Sequence, residues 1–351
     1  MKKLIIKNDI KDLTKNELIC WLQEKGVRSF RAGQIFKWIY LRQADTFEAM
    51  TDIGKDTRDL LSSHFTIERL AIVTTEESHD GSKKFLFRLP DGNHIESVLI
   101  PEKNHHTICI STQIGCAQNC KFCLTAKGGL IRNLSPGEIL AQVRDVRNTL
   151  DHPEILKNVV LMGMGEPLAN YANVIKALET MRDADHGLKI SARKITISTA
   201  GLISKFATLG RDTDINLAIS LNAADNKTRS MLMPINQKHP IEDLIKACRQ
   251  YPLAPRDKIT FEYILIKGVN DSLADADRLI KLLRPVKAKI NLIPFNEHPE
   301  SDWKRPDDQV IDQFLQRLHD AGYTAIIRHS KGLDISAACG QLRANQIKNS
   351  D

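Results

Sequence analysis

Three cysteines, Cys116, Cys120 and Cys123, fall within eight residues of the stretch GCAQNCKFCLTAKGG. A closed zinc site takes four ligands and a disulfide takes two, so three clustered thiols leave one position unfilled. The C-x3-C-x2-C spacing lets one short loop wrap three corners of a cubane 4Fe–4S cluster, for which thiolate is the preferred ligand. The fourth iron would stay open to a substrate. Zinc held by the same thiols with His105 or His106 is one alternative, although zinc motifs usually come as paired knuckles. A redox role would need only two thiols. A packing role sits poorly in a loop of Gly, Asn and Lys.

Other residues offer chemistry with weaker signals. The turn MGMGEP, Met162–Pro167, allows close backbone approach through Gly163 and Gly165, and Glu166 can accept a charge-assisted bond from an ammonium. By itself a Gly-x-Gly after a strand is common. Glu96, in HIESVLIP, reads from pattern alone as a solvent-facing strand carboxylate. Cys109 and Cys339 read singly as small buried residues. The surroundings of Cys339, SKGLDISAACGQLRAN, are rich in Gly, Ser and Ala and predict a mobile loop.

These residues need elements to position them. From about residue 106 the chain alternates β-like and helix-like runs: TICISTQ, NVVLMGMG, KITISTA, INLAISLN, ITFEYILI and KINLIPFN, with amphipathic stretches such as SPGEILAQVRDVRNTL between them. Six β/α repeats predict an α/β fold with a parallel sheet, open or curled into a partial (β/α)6 barrel. Ligands gather at the C-terminal ends of such strands. The cysteine loop, the glycine turn, Ser198, the Ser220–Leu221–Asn222 triplet and Asn296 all fall there. Residues 66–100 turn β-like, with two alternating runs around Pro-Asp-Gly-Asn that predict a hairpin. Residues 13–65 read as helices. Thr14 and Glu17 have capping-box spacing, Leu18, Trp21 and Leu22 share a face, and Gly26 is a stop. A second helix carries Ile35, Trp38 and Ile39 on one stripe. The expected organisation is a small N-terminal helical accessory domain (1–65), a β-hairpin connector (66–104), a partial barrel with a C-terminal catalytic loop (105–343) and a tail (344–351).

Composition bounds the class. The chain has 351 residues, 42% hydrophobic and 26% charged, which is ordinary for a globular protein. No apolar run approaches the roughly 18 residues that span a bilayer, and the N-terminus lacks a signal-peptide core, so a cytoplasmic protein without membrane association is expected. Fifty basic against forty-three acidic residues give a net charge of +7, compatible with a polyanion such as RNA. Arg28, Arg31, Lys37 and Arg42 in the helical region make an RNA-docking surface or merely a solvated face. Seven cysteines in a chain without an export signal point to metal or catalysis before structural disulfides.

The segments STQIGCAQNCKFCLTAKGGLIRNLSPGEI, MGMGEPL, STAGL, MPIN and DISAACGQL together closely resemble the RlmN/Cfr family of radical-SAM rRNA methyltransferases. The resemblance runs from about residue 14 to about residue 343, and the branch that methylates adenine C2 is the nearer match. It implies a 4Fe–4S cluster on Cys116, Cys120 and Cys123, whose open iron chelates S-adenosylmethionine (SAM). Gly165, Glu166, Ser198, Ser220, Leu221, Asn222 and Asn296 would contact SAM. The triplet usually ends in His, so Asn222 departs from the pattern. The resemblance further implies that Cys339 receives a methyl from SAM and, after hydrogen abstraction by a 5′-deoxyadenosyl radical, adds to adenine C2 as a covalent protein–RNA adduct. Glu96 would remove the C2 proton, and Cys109 would then attack Cys339 and form a disulfide as the RNA leaves. Two SAM molecules per turnover and an electron donor such as flavodoxin are implied. The substrates would be the peptidyl-transferase-centre adenosine of 23S rRNA and the adenosine beside the tRNA anticodon. Lys121, Lys127, Arg132, Arg328 and Lys331 are candidate RNA contacts near the site, and a monomer is expected. Two other readings stand beside this one: a Cfr-like enzyme acting at C8 of the same rRNA adenosine, and a non-catalytic, zinc-stabilised RNA-binding protein.

Overall fold

A computed structural model describes residues 7–298 and 300–343. The expected tail, 344–351, and the first six residues of the expected accessory domain lie outside the described residues.

The helical region forms for the reasons the sequence offers. Thr14 accepts from the Glu17 amide while the Glu17 carboxylate accepts from Thr14, closing the capping box of helix Lys15–Glu24. Gly26 follows with φ of 73°, the left-handed conformation that ends a helix. Helix Arg31–Phe36 continues into a wider π-type turn, Lys37–Leu41. Leu18, Leu22, Ile35, Phe36 and Ile39 are buried between them. This region rests on helix Pro136–Arg147. Asp12 accepts from the Gly137 amide at 2.9 Å, capping the start of that helix. Farther along it, the fully buried Arg144 donates to the carbonyls of Ile39 and Ala44 and to Asp45.

One ten-stranded sheet organises the rest. Its strands are β1 (Ala71–Glu77), β2 (Lys83–Arg88), β3 (His94–Pro101), β4 (His106–Cys109), β5 (Leu156–Leu161), β6 (Ile195–Thr199), β7 (Asn216–Ser220), β8 (Ile259–Leu265), β9 (Ala288–Pro294) and β10 (Thr324–Ile327). Their order across the sheet is their order in the chain. Strands β1 to β4 pair antiparallel, with the β2–β3 hairpin turning at the expected Pro-Asp-Gly-Asn. Strands β4 to β10 are parallel. Edge strands β1 and β10 do not pair with each other, so the barrel stays open. Strand β10 adds a seventh parallel strand to the six expected; its four residues, TAII, are too few for a periodic signal.

Strands such as β8 are buried almost throughout, because parallel strands are covered on both faces. The connecting helices supply that cover. Helix Ile241–Gln250 buries Ile241, Leu244, Ile245 and Cys248, one stripe at helical spacing. Capping boxes at Ser135 and Ser272 start two others. The parallel strands therefore present their C-terminal ends along one edge, where the loops converge.

Candidate active site

Two cavities meet at Cys339. The smaller, about 150 Å³, lies at the C-terminal strand ends. Its walls include Cys116, Cys120 and Cys123 from the loop after β4, Gly165 and Glu166 after β5, Ser198 on β6, and Ser220 and Asn222 at the end of β7. The larger, about 530 Å³, occupies the lumen of the open barrel below, lined from Thr107, Asn158, Thr196, Thr260 and Asn291. Met162, Glu262, Ile293, Arg328 and Cys339 belong to both.

The cysteine loop is pinned at both ends. The Cys116 amide donates to Gly129 O at 2.9 Å, and the Leu124 amide donates to Gly340 O at 2.7 Å. Burial pushes the Cys116 thiol up to about 12, and burial likewise raises those of Cys120 and Cys123. Three such thiols become thiolates when a metal replaces their protons. Among the described residues, three or more potential ligand atoms lie within 4.8 Å of one another only at Asp183, Asp185 and His186. The three cysteines line one cavity together, and three thiolates with one position left open are the donor set that an iron–sulfur cluster takes. His105 and His106 precede and begin β4, at the end of that strand opposite the cysteine loop, and His105 bonds Asn158.

The glycine turn does what its sequence offers. A side chain at Gly163 would meet the backbone of Ile110 at 2.7 Å, and one at Gly165, where φ is 104°, would meet Gln113 at 2.6 Å. Only glycine brings this turn against the first parallel strand. The buried Glu166 accepts from the Leu168 amide at 3.0 Å and from the Ala200 amide at 2.8 Å, and burial raises its pKa. It is fixed in place, and a carboxylate with about four lone-pair sites can still accept from a ligand.

The triplet after β7 divides its work. Ser220 and Asn222 line the cavity, whereas the Leu221 side chain is buried in the core. Ser220 ends β7, and strand alternation turns the next side chain, Leu221, to the opposite face. Asn222 has φ of 61°, tolerable for Asn, and its side-chain oxygen accepts from the Ile264 amide at 2.9 Å. Asn296 stands outside both cavity walls and donates to the Cys339 carbonyl at 3.2 Å.

Cys109, on β4, is buried, and its thiol is pushed up to about 12 by burial and then by Cys339, with Arg328 acting the other way. Cys339 itself lies half-buried on a segment tied down along its length. Lys84 donates to Ile335 O at 2.6 Å, Thr125 to Leu342 O at 2.6 Å, and the Arg343 amide to Glu96 at 2.7 Å. The loop expected to be mobile is hydrogen-bonded in this conformation. Glu96 is buried, unlike a solvent-facing strand carboxylate, and lines neither cavity. Burial raises its pKa, opposed by Lys84 at 3.8 Å.

Of the cations expected at the RNA, Arg328 and Lys331 line the lumen. Arg132 is instead engaged by Asp91 and Glu138, and Lys127 by Glu300. Two residues escaped sequence reasoning. Glu262 is a single carboxylate inside the apolar run ITFEYILI, where nothing but the break in hydrophobicity marks it. Arg229 is fully buried and donates to Ala200 O and Leu221 O, at the ends of β6 and β7, at 2.7 and 3.1 Å. It lies just before MPIN and holds the cavity's loops in register.

Residues 8–67 match the family model of the ribosomal RNA large subunit methyltransferase N-terminal domain, and residues 110–281 match the radical SAM superfamily. The chain is 56% identical to the dual-specificity RNA methyltransferase RlmN of Desulfosudis oleivorans, over 98% of this chain and 93% of the relative. It is 51% identical to the RlmN of Geobacter sulfurreducens, over 95% and 92% of the two chains. The crystal structure of a radical SAM methyltransferase from Sphaerobacter thermophilus superposes with a TM-score of 0.91 at 42% identity, covering 96% of this chain and all of that one.

Proposed function

The chain belongs to the RlmN family of radical SAM RNA methyltransferases, and from that membership we propose that it methylates C2 of adenosine in both 23S rRNA and tRNA. The observation that carries this reading is the meeting of Cys116, Cys120, Cys123, Glu166 and Cys339 at one cavity. The radical SAM class brings a 4Fe–4S cluster and SAM. What they supply when bound is a one-electron route to a carbon radical, which adenine C2, an electron-poor carbon between two ring nitrogens, requires.

The chain's own residues do the rest. The three loop cysteines hold the cluster. Gly165, Glu166, Ser198, Ser220, Asn222 and Asn296 hold SAM, with Leu221 contributing through its backbone. Cys339 carries the methyl carbon to the RNA from its place between the two cavities. Glu96 takes the C2 proton, and its raised pKa makes it a stronger base than an ordinary carboxylate. Cys109 then attacks the Cys339 sulfur, the bond between that sulfur and the RNA-bound methylene carbon breaks, and the carbon keeps the electron pair and takes up a proton to become the methyl group. The two cysteines are left as a disulfide, which must be reduced before the next cycle. A flavodoxin-like donor, a cytoplasmic setting and a monomeric enzyme complete the proposal. Among the described residues no helix is long and apolar enough to cross a membrane.

The test is anaerobic reconstitution with iron and sulfide, followed by reaction with methyl-labelled SAM and rRNA or tRNA. Mass spectrometry of the digested RNA is expected to find 2-methyladenosine, and Cys339→Ala is expected to keep its iron yet yield none. Formation of 8-methyladenosine instead would assign the chain to the C8 branch. Methylation by the Cys339→Ala enzyme would overturn the covalent route.

A further inference from the structure

The barrel lumen has a buried wall that lacks a partner. Glu262, on β8, is 4% exposed and lines both cavities. One carboxylate oxygen accepts from the Asn291 side chain at 2.9 Å, and the nearest cation, Arg328, stands 3.9 Å away. The other oxygen, Oε2, is buried with no hydrogen-bond partner. The buried Oδ1 of Asn158, on the lumen wall, also lacks one. Unpaired buried acceptors are costly and are kept where a ligand satisfies them. The ligand must therefore bring donors.

The lumen's mouth limits the choice further. Arg193, Lys194 and Lys289 are exposed at its rim, against one exposed carboxylate, Glu102. Cations around a deep, acceptor-lined pocket describe a polyanion that sends one donor-bearing group inside. A volume of about 530 Å³ holds a nucleobase with its ribose. Enzymes that alter a base take it out of the stack and read its Watson–Crick edge. Cys339 forms the partition between this space and the smaller cavity.

Resting on the reading of the chain as an adenosine methyltransferase, we propose that the lumen receives the reacting RNA base and that Glu262 Oε2 accepts a hydrogen bond from the exocyclic amine of adenine. Glu262 then determines specificity. Oε2 serves here as an acceptor, so a base with a carbonyl at the same position sets acceptor against acceptor. The adenine of SAM carries the same amine, and the smaller cavity also touches Glu262, so the experiment separates the two sources.

The reconstituted holoenzyme is given RNA carrying adenosine or inosine at the target position; inosine keeps C2 but replaces the amine with a carbonyl. Wild type is expected to favour adenosine at least about 100-fold in kcat/KM. In Glu262→Gln, whose amide can donate as well as accept, the preference is expected to fall below about 10-fold, with iron content and the Kd for SAM unchanged. Equal use of inosine by wild type overturns the proposal whether or not the variant folds. So does a variant that keeps full discrimination, and so does a weakened Kd for SAM with base preference intact, which would assign the carboxylate to SAM. Failure of wild type to methylate adenosine at all sinks the parent reading and this one with it.

Discussion

Glu96 shows how much one carboxyl's surroundings decide. Burial lifts its pKa above the ordinary 4.5, and the Arg343 amide holds it at 2.7 Å on the segment that carries Cys339. A base must be ionised to take a proton, so product release should accelerate as pH rises through the lifted pKa, with an acid limb above 4.5. Glu96→Gln removes the base without changing shape. The expected outcome is a covalent protein–RNA adduct that forms but accumulates, seen as a shifted band on a denaturing gel, with product formation slowed at least about 100-fold. Turnover at the wild-type rate would remove Glu96 from the reaction. The sequence marks Glu96 only through family resemblance, since alternation in its strand says solvent-facing and the structure says buried. Cys116, Cys120 and Cys123 are the reverse case: their spacing alone carries the chemistry, because three ligands on one short loop need no long-range contact to meet.

Glycine does at element scale what the cysteines do at residue scale. Gly165, at φ of 104° and placed so that a side chain would come within 2.6 Å of Gln113, sets how closely the turn after β5 approaches the segment that follows β4. Gly165→Ala is expected to cost about 1–3 kcal/mol of stability and to weaken SAM binding, checked by denaturant unfolding and by equilibrium dialysis of the reconstituted enzyme. An unchanged Kd would mean the turn does not shape the SAM site. The strands themselves were legible wherever an apolar run of five or more residues was bounded by turn residues, as in KITISTA and INLAISLN. Strand β10 was not, because four residues give no period and its place depends on pairing with β9. Glu262 stayed hidden for a related reason. A strand buried on both faces reads as continuous apolar sequence, and one polar residue within it looks like noise until the lumen is seen.

The whole molecule is held together by a residue far from the chemistry. Arg144 reaches from a barrel helix to two carbonyls and a carboxylate of the helical region, and pairs with the buried Asp145 at 2.9 Å. Asp145 in turn accepts from the Leu70 amide at 2.8 Å. Arg144→Ala leaves Asp145 without its closest cation, and the expected loss is about 3–5 kcal/mol of unfolding free energy, read from the urea midpoint. A loss under about 1 kcal/mol would mean the two regions do not depend on this contact. The sheet itself is assembled differently. Every strand hydrogen-bonds to the one made just before it, so during translation each finds its template already standing and no long stretch of chain must first be closed into a ring. The stretch bearing residue 339 is made after all ten strands. It closes one side of the basin meant for iron and sulfide, so that side stays unroofed until this stretch has docked.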